Sequence, residues 1–178
     1  MEQKEKKRRG RRGYLADFRQ TVTGEYVYEG TIHRFEGPGS WKKNMAGLWG
    51  LALVLLGAAA AAGLIPAPGI VGTAYITIPY ALSLVCAISV VWLMARWTLG
   101  GQELRDYVYR ATVGQVKLRG WATAGFAAIA LVGEIVYLIG HGWGAMAASA
   151  AGLLAALTVE LVTVAVWTWL AGRLRWSK

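Results

Sequence analysis

Two glutamates stand inside stretches that are otherwise apolar: Glu134 in "ALVGEIVYL" and Glu160 in "LLAALTVELVTVAV". A charge at the centre of a bilayer costs about 2.5–3.5 kcal/mol on insertion scales, so each carboxyl must face protein, keep a proton or meet a cation. Two carboxyls close together in a low dielectric cannot both ionise cheaply, and they would titrate as one coupled unit. Such a pair can store a proton, exchange it for a cation, grip a basic partner helix, or hydrogen-bond across an interface as structural glue. Counting about 1.5 Å per residue from Trp121 and from Gly172 places both carboxyls roughly 20 Å up their helices, at similar depth.

Their helical neighbours indicate which way they face. Ala148, Gly152, Ala156 and Glu160 form an i, i+4 ladder of mostly small residues, a mark of close helix packing, and Thr163 and Trp167 carry it onward. Ala127, Ala130, Glu134, Tyr137 and His141 share a face that grows more polar toward one end. Tyr137 can donate a hydrogen bond there, and His141 is expected near water. In "TIPYALSLVCAIS", Pro79 removes a backbone donor and is expected to kink its helix. That frees the Tyr75 carbonyl for the hydroxyls of Thr77, Tyr80 or Ser83. Apart from Arg96, at the very end of the second apolar stretch, no Lys or Arg lies inside one, so no internal ion pair is expected.

The elements that must position these residues are apolar blocks. Of the 178 residues 56% are hydrophobic and the mean hydropathy is +0.40, but the decisive point is how the apolar residues are gathered. A helical span needs about 20 of them in a row. Four blocks reach that length: about 46–65, 74–97, 121–140 and 145–172. Helices are the expected form, because backbone groups in lipid must pair internally. The fold class read from the sequence is an all-α membrane protein, a four-transmembrane-helix bundle of two antiparallel helical hairpins, with residues 45–178 as the transmembrane domain. The first block starts too far from the N-terminus, and is too long, for the apolar core of a cleaved signal. Cys86, the single cysteine, lies in the second block and can form no intrachain disulfide.

Eighteen of the 19 Lys and Arg fall before the first block, between the second and third, or after the fourth, and the remaining one, Arg96, is the next-to-last residue of the second block, on the side of the loop that follows. The turns "PAPGIVG" and "GHGWG" contain none. The excess of cations on cytoplasmic loops then predicts a multi-pass protein of the cytoplasmic membrane with both termini inside. Trp97, Trp121, Trp169 and Trp176 fall near the predicted inner interface and Trp143 near the outer one.

Outside the blocks, residues 1–13 read as a disordered basic arm that touches anionic lipid; nucleic acid is not the expected partner. Residues 14–44 form a cytoplasmic juxtamembrane segment. Within it "EYVYEGTIHRF" reads as extended, a strand or a short hairpin turning at Glu29-Gly30, and a lone hairpin must lean on the membrane, on the second cytoplasmic segment or on another protein. The loop 98–120 is expected to end the second span at "LGG" and to carry an amphipathic helix over 102–118. "EYVYEGTI" at 25–32 and "DYVYRATV" at 106–113, each followed by Trp41 or Trp121 and an apolar span, suggest a parallel internal repeat.

No Walker-type phosphate loop, HExxH, paired Cys/His set or GxSxG occurs, so neither catalysis nor a cofactor or metal is expected. The function expected from the sequence is that of a non-catalytic accessory or scaffold subunit, packing against itself or another membrane protein in the lipid bilayer. The alternative is a small proton-coupled transporter of a small cationic solute, working through Glu134, Glu160, Tyr137, His141 and Thr163.

Overall fold

The computed structural model describes residues 17–20, 25–37 and 39–177. The basic arm at 1–13 lies outside the described residues. Four helices are long and apolar enough to cross a membrane. They are α1 (Trp41–Leu64), α3 (Ala74–Gly100), α5 (Val116–His141) and α6 (Ala147–Arg173). A five-residue helix, α2 (Pro68–Gly72), lies between α1 and α3, and a short α4 (Asp106–Ala111) leads through a 3-10 turn into α5.

These helices outrun the apolar blocks mainly at one end. α1 starts at Trp41 and α5 at Val116, each several residues before its block. The added turns carry Lys42, Lys43, Lys117 and Arg119, which are good helix formers. Hydropathy therefore marks where hydrocarbon would begin, and not where the helix does. Gly101 (φ 71°) and Gly142 (φ 73°) end α3 and α5 in the left-handed region that favours glycine.

Each long helix buries one seam with spacing that alternates three and four. On α1 the seam is Met45, Leu48, Ala52, Leu55, Ala59 and Ala62. On α6 it is Ala150, Leu153, Leu157, Glu160, Val164, Trp167 and Ala171. That 3.5-residue period is the pattern of knobs-into-holes packing. α1 packs on α3 and α6, and α5 packs on the same two, and the buried apolar side chains form two clusters, one toward the start of α1 and one toward its end. Bonds between α1 and α3 climb one helix while descending the other: Trp49 donates to Thr98 (2.9 Å) and Tyr80 to the Ala59 carbonyl (2.9 Å).

Small strands gather at the end of the bundle where α1 and α5 begin, called here the sheet end. β3 (Ile32–Phe35) pairs antiparallel with β4 (Glu103–Arg105) on one side and with β5 (Trp176–Ser177) on the other. β1 (Phe18–Gln20) and β2 (Tyr26–Tyr28) form a separate two-stranded ribbon. The extended reading of 25–35 therefore holds, but the hairpin turning at Glu29-Gly30 does not form. β2 turns back to β1, and β3 leans on the second loop, one of the supports named for it.

The continuous helix over 102–118 is also replaced. "LGG" does end α3, but residues 103–105 form a strand, because the unpaired edge of β3 offers backbone partners that outweigh helical spacing. Leu104 is buried in that strand against Gly100. The helical part is α4, interrupted at Thr112 before α5 begins. The two "YVY" segments differ locally: Tyr26–Tyr28 is strand and residues 107–109 are helix.

Candidate functional site

Glu160 occupies a seam position of α6 and is 0% exposed. The Ser83 side chain of α3 lies close enough to interact with its carboxyl. Yet the Ser83 hydroxyl donates to the Tyr80 carbonyl (2.8 Å), and the Tyr80 hydroxyl is taken by Ala59. Both Glu160 oxygens are left without a hydrogen-bond partner among the described residues.

Glu134 occupies a seam position of α5 and is likewise 0% exposed and unpartnered. Its carboxyl packs over Gly69 of α2, where a β-carbon would stand 2.8 Å from Cδ. The short helix between α1 and α3 thus closes this end of the bundle over Glu134, and glycine is what leaves the acid room.

The two carboxyls are not level. Gly120 of α5 lies against Thr168 of α6, whose side chain a β-carbon at Gly120 would strike. From that shared level Glu134 is fourteen residues along α5 and Glu160 eight residues back along α6. At about 1.5 Å per residue the difference in depth is about 9 Å. Their contacts with α3 agree: Gly133 meets Tyr75 and Ile76 at the start of α3, whereas Glu160 meets Ser83 two turns further on. The expectation of similar depth fails because Trp121 and Gly172, the origins of that count, are not opposite one another.

Other residues named from the sequence are distributed as follows. Tyr137 is half-buried and its ring stacks on His141 (4.3 Å, 15° between planes). His141 is exposed, with Nδ1 3.1 Å from the Tyr137 carbonyl. Thr163 is buried beside the α6 seam, and Trp167 is in it. Along the small-residue ladder Ala148 is exposed, Gly152 and Ala156 are half-buried and only Glu160 is buried. A ladder of strict fours winds about 40° round a helix per step, whereas the buried seam alternates threes and fours.

Pro79 lies inside α3, but the hydroxyls expected to serve the Tyr75 carbonyl bond elsewhere. Thr77 donates to the Ile70 and Thr73 carbonyls. That carbonyl instead faces Gly133 across the α3–α5 contact. Arg119 also departs from expectation: it starts near the sheet end, yet its guanidinium donates to the Ser89 carbonyl inside α3. Polar contacts on α3 therefore recur from Tyr80 and Ser83 to Ser89.

A second polar cluster, at the sheet end, was not singled out by sequence reasoning. His33 of β3 is 4% exposed, its ring stacked on Tyr109 (4.0 Å, 14°), with Nε2 3.0 Å from Asp106 Oδ1. The other Asp106 oxygen accepts from Arg110 (2.8 Å). The Tyr28 hydroxyl accepts from the Asp106 backbone N–H (3.1 Å) and donates to the Thr31 carbonyl (3.2 Å). The His33 bond and the Arg110 charge hold the Asp106 carboxyl below its ordinary value, against the opposing effect of burial. Burial raises the Tyr28 phenol. Beside this network, the rings of Phe35, Trp41, Trp97, Tyr109 and Trp176 make edge and tilted contacts 5.1 to 6.4 Å apart. Alternation in "TIHRF" marks a strand with one buried face, but nothing local says that the buried imidazole meets an aspartate from another loop.

Set beside models of known protein families, characterised proteins and solved structures, the chain finds no match.

Proposed function

We propose that the chain is a four-span protein of the cytoplasmic membrane, two helical hairpins with both termini inside, acting as a non-catalytic accessory subunit that holds another membrane protein. The observation that carries this reading is the platform at the sheet end. Three segments far apart in sequence converge there into β4-β3-β5, and the ribbon β1-β2 stands beside them. Tyr26 on that ribbon is 69% exposed, and Val27 next to it in the chain and Ile32 on β3 are exposed too. Apolar side chains on the helix flanks have lipid to meet, but these three lie on strands outside the helices. Exposed apolar residues of this kind mark a protein contact, and a ribbon edge offers unpaired backbone to it.

The test is purification of the full chain in mild detergent after crosslinking in cells, beside a Tyr26→Ser/Ile32→Ser variant. The expected result is a discrete membrane partner that is lost from the variant. A monomer that elutes alone in both cases would overturn the reading.

One observation favours the carrier as a second reading: two carboxyls in the helix core with no donor spent on either. A glutamate serving only as glue would be hydrogen-bonded, and one gripping a partner helix would face outward. Both groups suit a bound proton or a small cation. Proton-linked flux in proteoliposomes should then fall in Glu160→Gln and in Glu134→Gln; unchanged flux in the double variant would remove this reading.

A further inference from the structure

An open groove of about 560 Å³ runs between α5 and α6 at the sheet end. Its walls match in order. Going inward from the sheet end, α5 presents Lys117, Trp121 and Ala124, and α6 presents Arg173, Trp169 and Ala165. Each wall thus runs cation, indole, small apolar residue, with cation and indole one helical turn apart. That is also the order of layers in a phospholipid: charged phosphate, interfacial glycerol and ester, then hydrocarbon.

The side chains fit the part. Trp121 is 71% exposed, so its ring lines the groove without entering the core. The Arg173 guanidinium lies 3.5 Å from the centre of the Trp169 ring, a cation–π contact that holds it at the rim. Among the described residues neither Lys117 nor Arg173 forms an ion pair. On the floor, Gly120 lets α6 approach, and the Thr168 hydroxyl is spent on the Val164 carbonyl. The deeper part therefore offers contact to hydrocarbon and no polar ligand.

We infer that this groove binds one anionic phospholipid, its phosphate between Lys117 and Arg173 and an acyl chain along Ala124 and Ala165. The inference rests on the reading that α5 and α6 cross a bilayer. Charge complementarity selects the occupant: the groove holds two cations and no acid, so a second copy docked symmetrically would bring like charges together.

The test uses the full chain reconstituted into vesicles, with fluorescence quenching by brominated phosphatidylglycerol compared with brominated phosphatidylcholine. Preference for the anionic lipid is expected at about fivefold per cation. It should disappear in Lys117→Gln/Arg173→Gln, and persist both in the charge-conserving Lys117→Arg/Arg173→Lys and in Lys42→Gln/Lys43→Gln. Equal quenching of the native chain by both lipids, or a preference that survives the double Gln variant, would overturn the site. Quenching by neither lipid would overturn the membrane reading as well. Native mass spectrometry of the same samples should show a retained anionic lipid; a lipid-free dimer would assign the groove to a second copy and overturn the proposal.

Discussion

Asp106 joins chain segments that would otherwise meet only through short strands. Its carboxylate receives His33 from β3 and Arg110 from its own helix, while its backbone N–H reaches Tyr28 and the Thr31 carbonyl. Because the His33 bond holds its acidity above that of a free aspartate, the folded chain binds fewer protons here than the unfolded one. The sign follows from linkage: this stabilisation is complete above the ordinary aspartate value of about 4 and is lost as pH falls through the lower folded value. Hydrogen-exchange protection of residues 32–35 should therefore fall on acidification in the native chain. In Asp106→Asn it should already be reduced at neutral pH, by about 1 kcal/mol, because the amide oxygen still accepts from His33 but without the charge that strengthens the bond, and its NH2 now faces Arg110, with little further change on acidification. A native pH response that persists undiminished in the variant would assign it to another group. Residues differ in how far the sequence exposes them. Glu134 and Glu160 are legible because an acid in an apolar run is conspicuous by itself. His33 is not, since its chemistry comes from a residue 73 positions away.

At the scale of elements, the four helices are read from length and hydropathy, and those depend on composition alone. Their seams depend on period, and here spacing by fours and spacing by alternating threes and fours diverge. The ladder ending at Glu160 does reach a buried carboxylate, but for a reason that does not extend to Ala148, which is exposed. Depth was less legible still, because the relative slide of two helices is set where they touch. For α5 and α6 one such point is Gly120 against Thr168, where a β-carbon would also lie 3.0 Å from the Thr168 β-carbon. Thr168 is β-branched and its hydroxyl is engaged, so it cannot simply rotate aside. Gly120→Ala should therefore destabilise the bundle by about 1–2 kcal/mol through overpacking, despite alanine's better helix propensity. Thr168→Ala in the same chain should recover part of the loss. Gly125, with open space around it, is the control: Gly125→Ala should be neutral or slightly stabilising in the same thermal melts in detergent. Equal losses at both glycines would mean that the α5–α6 approach does not limit stability.

Across the whole molecule, charge and architecture point the same way by independent routes. The sequence separates three basic segments from two turns without Lys or Arg, but says nothing of whether those segments meet. In the fold they do: β3, β4 and β5 come from the first, second and third of them, and pair in one sheet. The opposite end is closed by α2 and the turn before α6, neither of which carries a Lys or Arg. A bundle with its cations at one end has a preferred direction of insertion, because basic segments resist translocation and neutral turns do not. The predicted orientation puts the sheet end in the cytoplasm, where an anionic leaflet would also meet Lys117 and Arg173. Single cysteines in a Cys86→Ser background test it directly. Ala145→Cys, in the exposed turn before α6, should react with a membrane-impermeant maleimide in intact cells. Gln102→Cys, exposed beside β4, should react only after permeabilisation. The reverse pattern would invert the protein and place the platform, the His33 network and the lipid groove on the outer face. Labelling of both positions in intact cells would mean that the four helices do not separate the two ends, and the membrane reading would fail with the topology.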